Sequence, residues 1–114
     1  MGHDYYAWHY GPVHYLRRGL GDPLLLVHGI YPGADHCEFE YNIDAMASRF
    51  CVHAIDLLGF GDSHAPHHKY SAQTYIELVF DFLREVVGRP AGVVAAGLSC
   101  AYVAEVAGDR KSVV

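Results

Sequence analysis

The fold of this chain is decided by residues 91–107, which read AGVVAAGLSCAYVAEVA. A short run of small and β-branched residues ends at Ala96 and predicts a strand buried in a parallel sheet. Within 97–101, small residues stand two positions before and after Ser99, and they allow a sharp turn from a strand into a helix. Such a turn is expected to present the Ser99 hydroxyl above the sheet. Ser99 is therefore the candidate nucleophile, and its plainer interpretation is an ordinary helix N-cap.

The rest of the chain predicts alternating strands and helices. Strands are indicated by short apolar or aromatic runs, at residues 5–10, 13–17, 24–27, 51–55 and 91–96. Helices are indicated by apolar residues at helical spacing, over 36–49 behind an Asp35 cap, from Ser71 to Gly88, and over 102–107. Strands separated by helix-length segments pair in parallel. The prediction is an α/β fold, a doubly wound and mostly parallel sheet, entered by an antiparallel hairpin that turns at Gly11-Pro12.

Length and composition set limits on function. The chain has 114 residues, of which 52% are hydrophobic and 18% charged, which is ordinary for one globular domain. Its formal charge of −5 argues against a nucleic-acid partner, because nucleic-acid binders carry basic surfaces. No apolar run approaches the ~20 residues that span a bilayer, and the N-terminus lacks the features of a secretory signal. Three cysteines without CxxC spacing fit reduced thiols, so the predicted location is the cytoplasm.

Two further motifs follow predicted strands. The pair HG, residues 28–29, follows the third strand, and DLLGFGDS, residues 56–63, follows the fourth. In a doubly wound sheet, ligands bind beyond the carboxyl ends of the strands, so these motifs and Ser99 are expected to lie together. Asp56 and Ser63 are interpreted as turn formers that satisfy backbone groups.

The three motifs together resemble the α/β-hydrolase family, over residues 10–107. Its members carry an HG segment after the third strand, a D-L-x-G-x-G-x-S turn after the fourth, and G-x-S-x-G at the strand-to-helix turn. The resemblance implies that Ser99 attacks an acyl carbon and that the backbone N–H groups of Cys100 and Ile30 bind the resulting oxyanion. It also implies that His28 is structural and shapes the loop carrying Ile30. No metal or organic cofactor is implied.

Other residues near these motifs have plainer interpretations. A thiol at a helix N-terminus makes Cys100 an alternative nucleophile. His64, His67 and His68 share one loop, but no cysteine or carboxylate spacing converges with them, so solvated histidines are favoured over a metal site. Tyr31 and the aromatic residues of the first strand are interpreted as core residues, with the border of a substrate pocket as the alternative.

Two departures from the family pattern shape the functional prediction. Ala101 stands where the family has glycine, and its extra methyl is tolerable beside small neighbours. Family members also place an acid and then a histidine after the nucleophile, whereas beyond Ser99 the chain has Glu105 and Asp109 but no histidine. We therefore expect residues 1–114 to be the N-terminal part of a single hydrolase domain of about 250 residues or more. The acid, the histidine and a cap domain are expected in the remainder.

The sequence predicts a serine-dependent hydrolase that cleaves an ester, a related acyl bond or a C–C bond of a small molecule. Haloalkane dehalogenases and epoxide hydrolases are disfavoured because they use aspartate where Ser99 stands, and haloperoxidase-like members without a cofactor stay open. Without a histidine base, the isolated chain is expected to be nearly inactive. The alternative is a catalytically inactive module that binds a partner through its exposed strand edge. A nucleotide-binding domain is disfavoured, since no complete GxGxxG is present, and the oligomeric state stays open.

Overall fold

The computed structural model describes residues 2–65 and 70–109. For residue 109 it describes the backbone alone. Within these ranges the strands are β1 (Gly2–Trp8), β2 (Gly11–Arg18), β3 (Asp22–Val27), β4 (Phe50–Ile55) and β5 (Gly92–Ala95). The helical segments are a 3₁₀ turn (His36–Phe39), α1 (Ile43–Ala47), α2 (Ala72–Phe82), a π turn (Leu83–Val87) that extends α2, and α3 (Ser99–Asp109). His67 and His68 of the predicted histidine-rich loop lie outside the described residues.

The strands form one sheet in the order β1-β2-β4-β3-β5. β3 pairs in parallel with β4 and β5, whereas β2 pairs antiparallel with β1 and β4. This arrangement confirms the predicted α/β class, in which an antiparallel hairpin leads into a parallel sheet. β5 lies last in the order, and its residues alternate between exposed and half-buried. The prediction that this strand is buried on both faces is wrong for the described residues, because Val94, on one face of β5, is 43% exposed.

Helices cover both faces of the sheet. On one face, the buried residues of α2 and α3 pack in a cluster with Leu25 and Val27 of β3. On the other face, Ile43 of α1 packs in a cluster with Leu24 and Leu26. Alternate residues of β3 therefore enter opposite cores, because successive side chains of a strand point to opposite faces. This explains why a continuous apolar run marks a central strand.

The hairpin turns two residues earlier than the sequence predicts. β1 ends at Trp8 and β2 begins at its pairing partner Gly11, so residues 9–10 connect the strands instead of the predicted residues 11–12. This register buries Trp8, whose indole N–H donates to the Asp81 carboxylate of α2 at 2.8 Å. A slip of one residue would turn Trp8 to the opposite face of the sheet. Burial of this large side chain therefore outweighs the local turn preference of glycine and proline.

The helix predicted over residues 36–49 is divided in two. Asp35 caps its start as predicted, because its carboxylate accepts the Cys37 N–H at 2.9 Å, but a 3₁₀ turn follows and α1 begins after a break. The backbone N–H and the Nδ1 of His36 both bond to Oδ1 of Asp56, at 2.6 and 2.8 Å. These tertiary bonds anchor the first turn. Apolar periodicity does not contain such an anchor, so the prediction of one continuous helix is wrong.

The two longer helices lie close to their predicted positions. Ser71 caps α2 as predicted: its Oγ accepts the Thr74 N–H at 3.3 Å, and the Thr74 Oγ1 accepts the Ser71 N–H at 3.2 Å. This reciprocal pair is a capping box, which satisfies two donors at the helix start. The helical segment ends at Gly88 as predicted, although its last turn is π-helical. α3 begins at Ser99, three residues before the predicted start.

The turn after β4 is organised around Asp56. Its carboxylate accepts the Asp62 N–H at 3.0 Å, while Ser63 Oγ donates to the Asp56 carbonyl at 2.6 Å and accepts the His14 N–H at 2.8 Å. Gly61 lies directly against the carboxylate, because a Cβ at this position would be 2.4 Å from Asp56 Cγ. The φ of Gly61 is also +50°, which disfavours any other residue.

Gly61→Ala is therefore expected to lower the free energy of unfolding by about 3 kcal/mol, because it combines a steric clash with backbone strain. Gly33→Ala is the matched control. Gly33 has a φ of +83°, but a Cβ there meets nothing within 4 Å, so only the conformational loss of about 1 kcal/mol is expected. Urea denaturation measures both values. Equal losses in the two variants would show that contact with Asp56 does not constrain the turn.

Candidate active site

The three motifs meet beyond the carboxyl ends of β3, β4 and β5, as the sequence predicts. His28 joins them: its Nε2 accepts the Leu57 N–H at 2.9 Å, and its carbonyl accepts the Ser99 hydroxyl at 2.6 Å. The backbones also approach closely, because a Cβ on Gly97 would lie 3.7 Å from the Gly29 Cα. The candidate nucleophile, the HG loop and the turn after β4 therefore form one contiguous site.

The Ser99 side chain is fully buried in this site. The sequence predicts a hydroxyl presented above the sheet, but the hydroxyl instead donates to the His28 carbonyl. Within residues 2–65 and 70–109, every residue with a positive φ is a glycine, and Gly97 has a φ of +57°. Gly97 therefore makes the sharp turn, and Ser99 is the first residue of α3 without the backbone strain that would expose its oxygen.

The two predicted oxyanion donors are in different settings. The Cys100 N–H donates to the Gly97 carbonyl at 3.1 Å, so it takes part in the turn. Ile30 lies in the HG loop, between two residues whose donors both reach the same carboxylate oxygen. That oxygen is Oε1 of Glu38, which accepts the N–H of residue 29 at 2.8 Å and the hydroxyl of Tyr31 at 3.0 Å.

Sequence reasoning missed Glu38. It lies in the 3₁₀ turn, and its carboxylate orders the loop that carries Ile30. The hydrogen bond from the Tyr31 hydroxyl to Glu38 raises the pKa of the Tyr31 phenol. Tyr31 is exposed, which contradicts the interpretation of this side chain as a core residue. The only sequence signal for this role is the acidic residue in the first turn after the Asp35 cap, which is too common a feature to predict a contact nine residues away.

The His28 ring is buried and satisfied at both nitrogens. Nδ1 donates to the Gly29 carbonyl at 2.8 Å, and Nε2 accepts the Leu57 N–H at 2.9 Å. A nitrogen that accepts a hydrogen bond carries no proton, so the ring is the neutral Nδ1–H tautomer. Burial lowers the pKa of His28, although the hydrogen bond to Gly29 acts in the opposite direction. These contacts agree with the predicted structural role.

We expect the folded His28 ring to be less protonated than an unfolded histidine near pH 6.5, because burial lowers its pKa. Its folded pKa lies below its unfolded pKa of about 6.5, so its contribution to stability is present above pH 6.5 and is lost as the pH falls towards the folded pKa. Ring ¹H–¹⁵N spectra recorded against pH measure the protonation state and the tautomer. A ring that titrates near 6.5 would contradict the buried, neutral assignment. The His28→Gln variant assigns the resonance.

Asp56 has a larger role than its predicted function as a turn former. Its buried carboxylate accepts the Nδ1–H of His14 at 2.7 Å and the Nδ1–H of His36 at 2.8 Å, in addition to backbone N–H groups. Burial raises the pKa of this carboxyl, but hydrogen bonds from Asp62, His36 and His14 outweigh burial and hold the pKa below its ordinary value. The two histidines are far from Asp56 in sequence, and no local motif signals the contacts.

The remaining sequence-predicted candidates are placed as follows. Cys100 is exposed, and its thiol donates to the Ala95 carbonyl at 3.2 Å. His64 is exposed, and its backbone N–H donates to the Pro12 carbonyl at 2.9 Å. Of the aromatic residues in the hairpin, Trp8 is in the core, as predicted, whereas others are partly or largely exposed.

The model of one protein family, described as the alpha/beta hydrolase family, matches residues 24–114. This region includes all three strand-end motifs, most of β3, and all of β4 and β5. The chain belongs to the alpha/beta hydrolase family.

Two curated relatives are hydrolases. Over 71 residues the chain is 34% identical to the 2-hydroxy-6-oxo-6-(2'-aminophenyl)hexa-2,4-dienoic acid hydrolase of Metapseudomonas resinovorans, which covers 61% of this chain and 24% of that protein. Over 62 residues it is 40% identical to the soluble epoxide hydrolase of Corynebacterium sp. (strain C12), which covers 54% of this chain and 21% of that protein. The chain therefore aligns with less than a quarter of the length of these relatives.

A solved structure agrees with the fold. The crystal structure of a serine hydrolase involved in carbazole degradation superposes with a TM-score of 0.91 and 24% identity, over 98% of this chain and 44% of that one. At this identity the likeness establishes the fold alone. Separately, none of the helices within the described ranges has the length and apolar character needed to cross a membrane.

Proposed function

We propose that this chain carries the nucleophile and the oxyanion donors of a serine hydrolase that acts on an ester, a related acyl bond or a C–C bond of a small molecule. The observation that carries the proposal is the 2.6 Å contact between the Ser99 hydroxyl and the His28 carbonyl. This contact links Ser99, the first residue of α3, directly to the HG loop. Membership of the alpha/beta hydrolase family supports the same assignment.

In the proposed reaction, Ser99 Oγ leaves the His28 carbonyl, rotates towards the substrate and attacks its carbonyl carbon. The hydroxyl proton passes to a histidine base, and the carbonyl oxygen becomes the oxyanion. Loss of the hydrogen bond from the Ser99 hydroxyl to the His28 carbonyl costs about 1 kcal/mol net. This cost is small compared with the reduction in activation free energy that enzymes achieve. The catalytic acid and histidine are proposed to come from sequence beyond this chain, in the order the family uses.

The oxyanion would accept the backbone N–H groups of Ile30 and Cys100. Loss of one such donor typically costs about 2.7–4 kcal/mol of barrier. The Cys100 N–H must exchange its bond with the Gly97 carbonyl for a bond with the oxyanion. The Ile30 loop is held by Glu38, so this donor is ordered before substrate binds. Ordered donors favour the transition state because they need no reorganisation during the reaction.

The comparisons bear on the substrate class. Similarity to a hydrolase of a hydroxy-oxo-dienoic acid supports a C–C or acyl bond next to a carbonyl group. The chain is also similar to an epoxide hydrolase, but Ser99 occupies the proposed nucleophile position. A serine at this position favours attack on a carbonyl carbon over the opening of an epoxide.

A second candidate function is a catalytically inactive binding module. The observation that favours it is the burial of the Ser99 hydroxyl, together with the use of the Cys100 N–H within the turn. In this alternative, Ser99 is a helix-start residue whose hydroxyl joins α3 to the HG loop, and the site performs no chemistry.

Fluorophosphonate labelling of the protein isolated from its own cells distinguishes the two functions. We expect labelling at Ser99 and a loss of at least ~10³-fold in rate for Ser99→Ala, because this variant removes the attacking oxygen. Cys100→Ser is the matched control: it keeps the backbone N–H and is expected to label within about threefold of the unchanged protein. Labelling that depends on Cys100 instead would identify the thiol as the nucleophile.

Two further measurements complete this test. Thermal melts of both variants exclude unfolding as the cause, since Ser99→Ala also removes the bond to the His28 carbonyl and is expected to lower stability by about 1–2 kcal/mol. The intact mass of the endogenous protein is compared with the 12.6 kDa of this chain. A mass of 12.6 kDa, together with no fluorophosphonate labelling, would contradict the hydrolase function and support the binding module.

A further inference from the structure

Three histidines from separate parts of the chain surround the buried carboxylate of Asp56. His14 lies on β2 and its Nδ1 is 2.7 Å from Oδ2 of Asp56. His36 opens the 3₁₀ turn and its Nδ1 is 2.8 Å from Oδ1. His3, on β1, stacks on the His14 ring with centroids 5.0 Å apart, and its Nδ1 is 2.9 Å from the Nε2 of His14. None of these groups takes part in the proposed reaction at Ser99.

The two imidazole nitrogens and one carboxylate converge as metal ligands do. One ligand atom each from His14, His36 and Asp56 lies within 4.8 Å of the others. Ligands at about 2.1 Å from an ion lie about 3.0 Å apart at right angles and about 3.4 Å apart in a tetrahedron. The His14 Nδ1 is now 2.7 Å from Oδ2 and the His36 Nδ1 is 2.8 Å from Oδ1 of the carboxylate, so these separations need to grow by about 0.2 to 0.7 Å. Two imidazoles and a carboxylate form a donor set typical of zinc and other divalent transition metals.

The surroundings are those of an ordered site. A ligating histidine usually places its other ring nitrogen against a hydrogen-bond partner, which fixes the ring. Here the Nε2 of His14 lies against His3, and the Nε2 of His36 is 3.7 Å from the Cys37 thiol. The carboxylate of Asp56 is also held by the backbone N–H groups of residues 36 and 62. All three donors are therefore oriented independently of an ion.

Charge and access also fit a cation. Asp56 is fully buried, and a buried carboxylate is costly unless opposite charge or hydrogen bonds compensate it. The His36 side chain is 13% exposed, whereas His14 and Asp56 are enclosed. An ion would therefore enter on the His36 side, and a water molecule from that side could complete its coordination.

We propose that His14, His36 and Asp56 bind one divalent transition-metal ion of the Zn²⁺ type. Binding uses the Nδ1 lone pair of each imidazole, so each neutral ring moves its proton from Nδ1 to Nε2. Before binding, His3 donates its Nδ1–H to the His14 Nε2, so the His3 proton also moves from Nδ1 to Nε2, and the His3 Nδ1 then accepts the Nε2–H of His14. Each neutral ring shifts one proton, and no net proton is released. The ion ties β2, the 3₁₀ turn and the turn after β4 together, and it acts on stability without entering the chemistry at Ser99.

The test is titration with Co²⁺ and Zn²⁺ of the untagged protein, at the length at which its own cells produce it, after metal has been removed. We expect one equivalent of Co²⁺ to give the visible absorption of an ordered site, Zn²⁺ to displace it, and Zn²⁺ to raise Tm, because an ion that binds only the folded state stabilises it. His36→Gln and His14→Gln are each expected to weaken binding at least about 10-fold. Glutamine can still donate a hydrogen bond to Asp56, so both variants test ligation with the hydrogen bond retained.

Two control variants locate the ion. His64→Gln changes an exposed histidine outside the cluster. Asp35→Asn removes the carboxylate of a second group of donors, Asp35, His36 and Cys37, while the amide oxygen can still accept the Cys37 N–H. Both are expected to bind Co²⁺ and Zn²⁺ within about threefold of the unchanged chain. Loss of binding in either control would place the ion elsewhere and overturn the proposal. Absence of stoichiometric binding, or unchanged binding in both His14→Gln and His36→Gln, would show that the cluster is a hydrogen-bonded network only.

Discussion

The buried carboxylate of Asp56 is the interaction on which the rest of the structure depends. It accepts hydrogen bonds from His14 Nδ1, from the backbone and Nδ1 of His36, and from the Asp62 N–H. These donors belong to β2, to the 3₁₀ turn and to the turn after β4. A buried charge without such partners would destabilise the fold strongly, so hydrogen bonds from all three segments compensate the burial of the carboxylate.

The candidate active site is attached to this centre through the backbone. The residue after Asp56 donates its N–H to His28 Nε2, and the carbonyl of His28 accepts the Ser99 hydroxyl. His28 therefore links the turn after β4, through its ring, to the start of α3, through its carbonyl. Rigid support of this kind is what a catalytic serine needs, because small displacements of a nucleophile reduce rates strongly. It also explains how a histidine next to the candidate active site can be structural.

Much of the fold could be predicted from local patterns. The continuous apolar run of β3 indicated a strand buried on both faces, and Ser71 indicated the start of α2, because capping is satisfied by residues three positions apart. The hairpin register and the break in the helix over residues 36–49 could not be predicted. Trp8 and His36 decide them through contacts with Asp81 and Asp56, which are distant in sequence.

The candidate site, like the fold, could be predicted from local patterns only in part. The order of the three motifs indicated which strand ends meet, and the structure places Ser99 against the HG loop as that order requires. The direction in which the Ser99 hydroxyl points was not predictable, since it depends on whether the strain of the turn falls on Gly97 or on Ser99 itself. Glu38 was missed for a related reason, because its contacts with the HG loop arise from the position of the 3₁₀ turn.

The sequence by itself determined the class of fold, the order of its elements and the family, because periodicity, capping and small residues at a turn act over a few neighbouring positions. Only the tertiary structure decided the register of the hairpin, the burial of the Ser99 hydroxyl and the gathering of His3, His14 and His36 around Asp56. These depend on which distant groups compete for the same buried space and the same hydrogen-bond acceptor, and that competition is settled only when the elements pack.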